Sequence, residues 1–105
     1  MKLLSIDHIP GKEIEALDIV KGTVVHTKNV GRDFMAAMKT LVGGELVGYT
    51  QMLNEARQIA VKRMVDEAEA LGADAIVNVR YGTSSVMSGA AEVIAYGTAV
   101  KIINN

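Results

Sequence analysis

The sequence of 105 residues has no cysteine, a single proline and few aromatic residues. Without cysteine, the chain has no disulfide bonds, thiol nucleophiles or thiolate metal ligands. The 11 basic residues are balanced by 12 acidic ones, so the chain lacks the excess positive charge with which most nucleic-acid-binding proteins attract phosphates. It also lacks the apolar run of about 20 residues that a spanning helix needs and the apolar core of a signal peptide. These absences predict a cytoplasmic protein with neither a nucleic-acid nor a membrane partner.

The apolar residues that are present predict a single domain. Half of the chain is hydrophobic although only 4% is aromatic. A chain of this length buries roughly 65% of its unfolded surface, which is enough for a core that needs no disulfide or metal. The sequence shows no linker and no internal repeat. We therefore expect one domain over residues 1–105.

The first half of the chain changes from a strand pattern to a helical pattern. The turn residues Pro10 and Gly11 separate a short predicted strand over residues 2–7 from a longer one over 14–27. Gly22 in the middle of the longer strand indicates a bulge or a bend. Apolar residues at helical spacing then predict a short helix over 34–42 and a long one over 45–71, which ends at Gly72.

The length of the second helix predicts self-association. A helix over 45–71 would span about 40 Å. A compact domain of this size has a diameter of roughly 33 Å. The helix would therefore either break near Gly48 or extend beyond its own domain onto a neighbouring subunit, and we favour the neighbouring subunit.

The last third of the chain alternates in the manner of strands. We predict strands over 75–81 and 92–103, with an uncharged loop over 82–91 between them. Ala95, Gly97 and Ala99 share one face of the last strand, where small side chains would let a helix pack closely. Strands, then helices, then strands predict an α+β fold with a mixed or antiparallel sheet.

The motifs for catalysis and metal binding are largely missing. His8 and His26 are the only histidines, and neither has a second ligand at the spacing of a metal motif. The ligand spacing therefore does not support a metal site, although a site formed by carboxylates stays an alternative. No serine stands in a nucleophile motif, so we assign no catalytic residue and favour a protein that is not an enzyme.

Five polar residues are candidates for ligand binding or inter-subunit contact. Glu45 opens the long helix, and Tyr49 and Arg57 follow it there. Glu92 and Tyr96 share one face of the last strand. An arginine–carboxylate pair among them could be bidentate. We interpret such a pair as a salt bridge between layers or subunits, and the alternative is a pocket formed by Arg57, Tyr49, Glu92 and Tyr96.

Several motifs together resemble those of the YbjQ-like family over nearly the whole chain. They are Gly43-Gly44-Glu45, Ala56-Arg57, Leu71-Gly72-Ala73-Asp74-Ala75 and Ala95-Tyr96-Gly97-Thr98-Ala99-Val100, with Ile9-Pro10-Gly11 upstream. Asp74 stands where the family more commonly has Asn. The resemblance implies a subunit related in shape to dodecin that assembles into a homopentameric ring, with a decamer as an alternative.

The function of this family is uncharacterised, and three hypotheses follow. The first is a ring-forming homo-oligomer with a binding or scaffolding role. The second is a metal-binding module, because the family is described as heavy-metal-binding. The third is a small-ligand sensor or enzyme whose pocket lies between subunits.

Overall fold

A four-stranded mixed sheet carries one long helix on one of its faces. The computed structural model describes residues 1–26, 47–87 and 90–104. Its elements are strands β1 (Lys2–Leu3), β2 (Glu13–His26), β3 (Ala75–Met87) and β4 (Ala90–Asn104), and helix α1 (Val47–Ala70), which precedes β3. The sheet order is β1-β3-β4-β2, with β1 parallel to β3 and the other pairs antiparallel. The predicted α+β class with a mixed sheet is confirmed.

Helix α1 is continuous over its 24 described residues, which correspond to about 36 Å. The described helix shows no break from Gly48 onward, and the alternative of a break at its very start stays untested. The expected start of this helix at residues 45–46 and the short helix over 34–42 lie outside the described residues.

The end of α1 agrees with the prediction from Gly72. This glycine has a φ of +77°, and its N–H donates to the carbonyl of Glu69 at 3.0 Å. The N–H of Ala73 donates to the carbonyl of Ala68 at 3.1 Å. These two bonds form a Schellman motif, in which a left-handed glycine satisfies the last carbonyls of a helix.

The N-terminal segment crosses the sheet from β1 at one edge to β2 at the other. The first strand is shorter than the predicted range 2–7, because regular pairing with β3 ends at Leu3. The N–H of Lys12 donates to the carbonyl of Ile9 at 3.0 Å, and Gly11 has a φ of +78°. Proline followed by a left-handed glycine is typical of a type II turn. The turn that the sequence predicts at this position is therefore confirmed.

The predicted loop over 82–91 is wrong, because most of it forms a β-hairpin. Strand β3 continues to Met87 and β4 begins at Ala90. Gly82 pairs with Ile94, Thr83 with Val93 and Ser84 with Glu92. The small uncharged residues gave no helical or alternating signal, but their backbone groups complete the ladder with β4.

Gly22 marks the closest approach of helix and sheet rather than a bulge. Pairing of β2 with β4 is continuous from Asp18 to His26, and the register shifts occur nearer the start of β2. A methyl group at Gly22 would overlap the carbonyl oxygen of Ala60 and come within 2.5 Å of the Met64 nitrogen. Glycine is present here because the helix backbone occupies the space of a side chain.

The core beneath α1 is made mainly of small residues. Ala95 and Ala99 of β4 are fully buried, and so is Ala60 of the helix. They belong to one cluster with Val20, Val24, Ala56, Met64, Ala68, Ile76 and Val93. The predicted packing of the alanine stripe of the helix against the small-residue face of β4 is confirmed.

Candidate functional site

Three of the five candidate residues have described side chains, and these three do not converge within one chain. Glu45 lies outside the described residues, as does the side chain of Tyr49. Arg57 lies half-buried on α1, and its Nη2 donates to Oδ1 of Asn54. In the described part of the chain Arg57 forms no ion pair with a carboxylate, so the expected bidentate pair between layers is absent there.

Glu92 and Tyr96 lie on the face of the sheet opposite α1. Their neighbours Val93 and Ala95 point into the core beneath the helix, and side chains alternate along a strand. The structure thus separates Arg57 from Glu92 and Tyr96 by the thickness of the sheet. A pocket that uses all of them would need more than one copy of the chain, and that arrangement stays a prediction.

We name the part of this surface that the N-terminal segment leaves uncovered the open face. The segment before β2 covers the other end of the same sheet surface, where Ile9 packs against Val77 and Val100. Beyond that cover, Ile19 is 71% exposed, Val25 52% and Tyr96 41%. The open face comprises Ile19, Lys21, Thr23 and Val25 of β2, Arg80, Gly82 and Ser84 of β3, and Glu92, Ile94 and Tyr96 of β4.

Two cations flank Tyr96 across the strands of the open face. Lys21 pairs with Tyr96 from the β2 side and Arg80 from the β3 side. Directly opposed residues of neighbouring strands hold their Cβ atoms about 5 Å apart. The alternation that predicted the face of Tyr96 gave no information about either cation, because strand register is not encoded in a single strand.

A bulge at Asn78 places Arg80 on the open face. The register between β3 and β4 shifts between Val77 and Arg80, and Asn78 has a φ of +55°. Asparagine is one of the few residues with a side chain that tolerate this left-handed region. Without the extra residue, Val79 would occupy the place of Arg80, and the guanidinium would lie on the helix side.

Arg80 also attaches the N-terminal segment to the sheet. Its Nη1 donates to the carbonyl oxygen of Ser5 at 2.8 Å and to that of Val79 at 3.1 Å. The backbone N–H groups of Asn78 and Val79 donate to the carbonyls of Ile6 and Leu4, each at 2.9 Å. The bulge and its arginine therefore hold the segment that covers one end of the sheet.

Charged side chains satisfy backbone groups of the edge strand β2. Glu67 of α1 accepts a hydrogen bond from the N–H of Lys21 at 3.3 Å, and Arg63 donates to the carbonyl of Thr23. Asp18 accepts from the N–H of Ile19 at 2.7 Å. Such contacts make this stretch of the edge less available to an added strand.

The charged residues after α1 also have backbone partners. Asp74 Oδ2 accepts from the N–H of Ile102 at 2.8 Å, and the Lys101 ammonium donates to the carbonyl of Gly72 at 3.1 Å. Lys101 Nζ lies 3.6 Å from Asp74 Oδ1. These contacts join the end of the helix to β4 and indicate a structural role for Asp74.

The described residues do not provide a heavy-metal site. His8 Nδ1 lies 2.9 Å from Oδ1 of Asp7, and both residues are exposed. The hydrogen bond from His8, and then its positive charge, lower the pKa of the Asp7 carboxyl. Residues 1–26, 47–87 and 90–104 contain no group of three or more histidine, aspartate or glutamate side chains that could hold a metal ion. One carboxylate beside one imidazole falls short of a zinc site.

A groove of about 570 Å³ follows the outer side of α1. Its lining comes from one helix: Glu55, Gln58, Ile59, Lys62, Arg63 and Asp66. Within it the Lys62 ammonium pairs with Asp66 at 3.1 Å, four residues further along. A helix flank with an internally paired charge is a surface feature rather than an enclosed pocket.

In the part of the chain that the structure describes, no helix combines the length and apolarity needed to cross a bilayer.

Comparison with known proteins identifies relatives over the full length. Residues 1–103 match a family model, YbjQ_1, described as "Putative heavy-metal-binding". A UPF0145 protein of Clostridium novyi is 61% identical over 98% of this chain and 100% of its own. One from Alkaliphilus metalliredigens is 56% identical over 98% and 100%. Among solved structures, a protein of unknown function from Pediococcus pentosaceus, which belongs to the DUF74 family, is similar in fold. Its crystal structure aligns with a TM-score of 0.68 at 18% identity, over 97% of both chains.

Proposed function

This chain belongs to the YbjQ family, and from that premise we propose that it is a ring-forming homo-oligomer with a binding or scaffolding role. A homopentamer of dodecin-like subunits is the assembly that the family resemblance implies. The cytoplasm is the location expected from the sequence.

The elongated shape of the chain is the observation that carries this proposal. Its radius of gyration is 17.0 Å, and its principal dimensions are 54 × 27 × 17 Å. A compact chain of 105 residues has a radius of gyration of about 13 Å. An elongated chain has a larger surface for its volume, and contact with other copies would cover part of it.

The distribution of exposed apolar side chains supports self-association. Ile19, Val25 and Tyr96 are exposed at separate positions of the open face, while Ile59 is exposed on α1 and Leu71 just after it. Scattered apolar residues are ordinary on a protein surface, so their number alone is weak support. On the open face they alternate with Lys21, Arg80 and Glu92, a mixed apolar and charged surface of the kind found in interfaces between proteins.

Native mass spectrometry of the purified chain tests the proposal. We expect a species of five times the 11.2 kDa chain mass. A mass of one chain at every concentration up to about 1 mM would overturn it. Retained small molecules would appear in the same spectra as added mass.

Replacement of Arg57 separates a structural role from a pocket between subunits. Arg57→Ala should weaken assembly if the half-buried guanidinium joins subunits. Unchanged assembly together with loss of a retained ligand would instead favour the pocket. Gln58→Ala, at the neighbouring exposed position of α1, is the matched control and should change neither.

A further inference from the structure

The open face carries charges in an order that is complementary to itself. Its residues form three cross-strand rows in succession: Lys21–Tyr96–Arg80, then Thr23–Ile94–Gly82, then Val25–Glu92–Ser84. The outer rows are four residues apart along β4, about 13 Å. One outer row is cationic around a phenol, the other contains a carboxylate, and the row between them is uncharged.

Three polar side chains of these rows have no hydrogen-bond or ion-pair partner among the described residues. Glu92 is half-buried between Val25 and Ser84. Within the described residues, no hydrogen bond or ion pair is formed by the Glu92 carboxylate, the Tyr96 hydroxyl or the Lys21 ammonium. A carboxylate without a partner can accept hydrogen bonds from donors of another molecule.

We propose that two copies of this chain pack open face against open face, about a twofold axis along the Thr23–Ile94–Gly82 row. This axis brings the cationic row of one copy over the acidic row of the other. Tyr96 then lies over Glu92 of the partner subunit, with Lys21 and Arg80 on either side of that carboxylate. The contact occurs twice by symmetry, as in any isologous interface.

The apolar residues suit the same arrangement. Ile94 lies in the axial row, where it meets Ile94 of the partner subunit. A methyl group at Gly82 would lie 3.2 Å from Ile94 Cγ2, which shows that the Ile94 side chain leans over this glycine. Sheets that pack face to face lie about 10 Å apart, a gap that such side chains fill.

The proposed pairing is distinct from ring closure. An isologous contact ends after two copies, whereas a ring uses a head-to-tail contact between different surfaces. Pairing alone gives two chains and ring closure alone gives five, while both together give two rings. The mass of the wild-type assembly therefore reports on each separately.

A charge exchange tests the pairing, with sedimentation velocity as the readout. Glu92→Lys places an ammonium opposite Lys21 and Arg80, and we expect face-to-face association to weaken at least tenfold, a change of about 1.4 kcal/mol. Lys21→Glu places a carboxylate opposite Glu92 and should also weaken it. Mixing the two variants sets the new ammonium of one copy against the new carboxylate of the other. The mixture should therefore recover association to within about threefold of wild type.

The controls keep the outcome decisive. Glu69→Lys makes the same charge change at an exposed position of α1, away from the open face, and should leave association unchanged. Circular dichroism melting of each variant checks the fold. Association that is unaffected by Glu92→Lys, or two weakened variants that do not recover on mixing, would overturn the pairing. A five-chain ring that persists in those samples would leave the proposed function standing.

Discussion

The two faces of the sheet differ in side-chain size at the positions where the helix backbone comes closest. Beneath α1 the strands present Gly22, Ala95 and Ala99, and the helix meets them with Ala60. On the open face the same two strands present Ile19 and Tyr96 to solvent. Small residues on the covered face let the backbones approach so that contacts form within the chain. Large ones on the open face have exposed apolar area that another molecule could cover.

The largest expected effect comes from a methyl group on the covered face. Gly22→Ala would overlap the backbone of α1 at Ala60, which cannot move without displacing the helix. We expect the free energy of unfolding to fall by more than about 3 kcal/mol, at the upper end of overpacking effects. Urea denaturation at matched chain concentration measures it.

Gly82→Ala is the matched control, because the same methyl group then points to the open face. Its nearest neighbour would be the flexible end of Ile94, so we expect a loss below about 1 kcal/mol. Equal losses for the two variants would contradict the assignment of faces.

Adjacent residues of β2 give the second comparison. Val20 is fully buried under α1, whereas Ile19 is 71% exposed on the open face. Val20→Ala removes two buried methyl groups and should lower the free energy of unfolding by about 2 kcal/mol. Ile19→Ala should change it by less than about 0.5 kcal/mol in dilute solution, where copies do not associate. A larger effect of Ile19→Ala that grows with chain concentration would place this side chain in an interface.

Alternation and end signals in the sequence predicted the covered face of β4 and the end of α1. The small residues of β4 fall on one face because every second side chain does. Gly72 predicted the helix end because a left-handed cap favours glycine. Both predictions depend on residues near each other in the chain, which is why they succeed.

Features that depend on strand pairing could not be predicted from neighbouring residues in the sequence. Arg80 reaches the open face because one residue, Asn78, bulges from β3, and the alternating pattern around it gives no sign of the shift. The backbone partners of Asp74 and Arg63 lie 28 and 40 residues away. The shared face of Glu92 and Tyr96 was therefore predicted, whereas the cations beside Tyr96 were missed.

The bulge at Asn78 offers the third test, because it decides which residues of β3 lie on which face. Asn78→Ala keeps the backbone donor but loses the tolerance of asparagine for a positive φ, so we expect a loss of about 1 kcal/mol. Asn78→Gly accepts the same φ freely and should be within about 0.5 kcal/mol of wild type. Thermal denaturation of the pair checks this, and a greater loss for glycine than for alanine would contradict a left-handed bulge.

The smallest expected effect concerns Asp7, on the segment that crosses the sheet. His8 donates to the Asp7 carboxylate and, when cationic, attracts it, so the pKa of this carboxyl lies below its ordinary value. The pair contributes stability above the pKa of the unfolded carboxyl, and that contribution is lost as the pH falls through the lowered folded pKa. His8→Ala should raise the pKa of Asp7 toward its ordinary value, which carbon-detected NMR titration of the side chain measures. Because Asp7 is fully exposed, thermal stability at neutral pH should stay within error of wild type. A clear drop there would mean that this end of the sheet relies on a charged contact as well as on the apolar cover of Ile9.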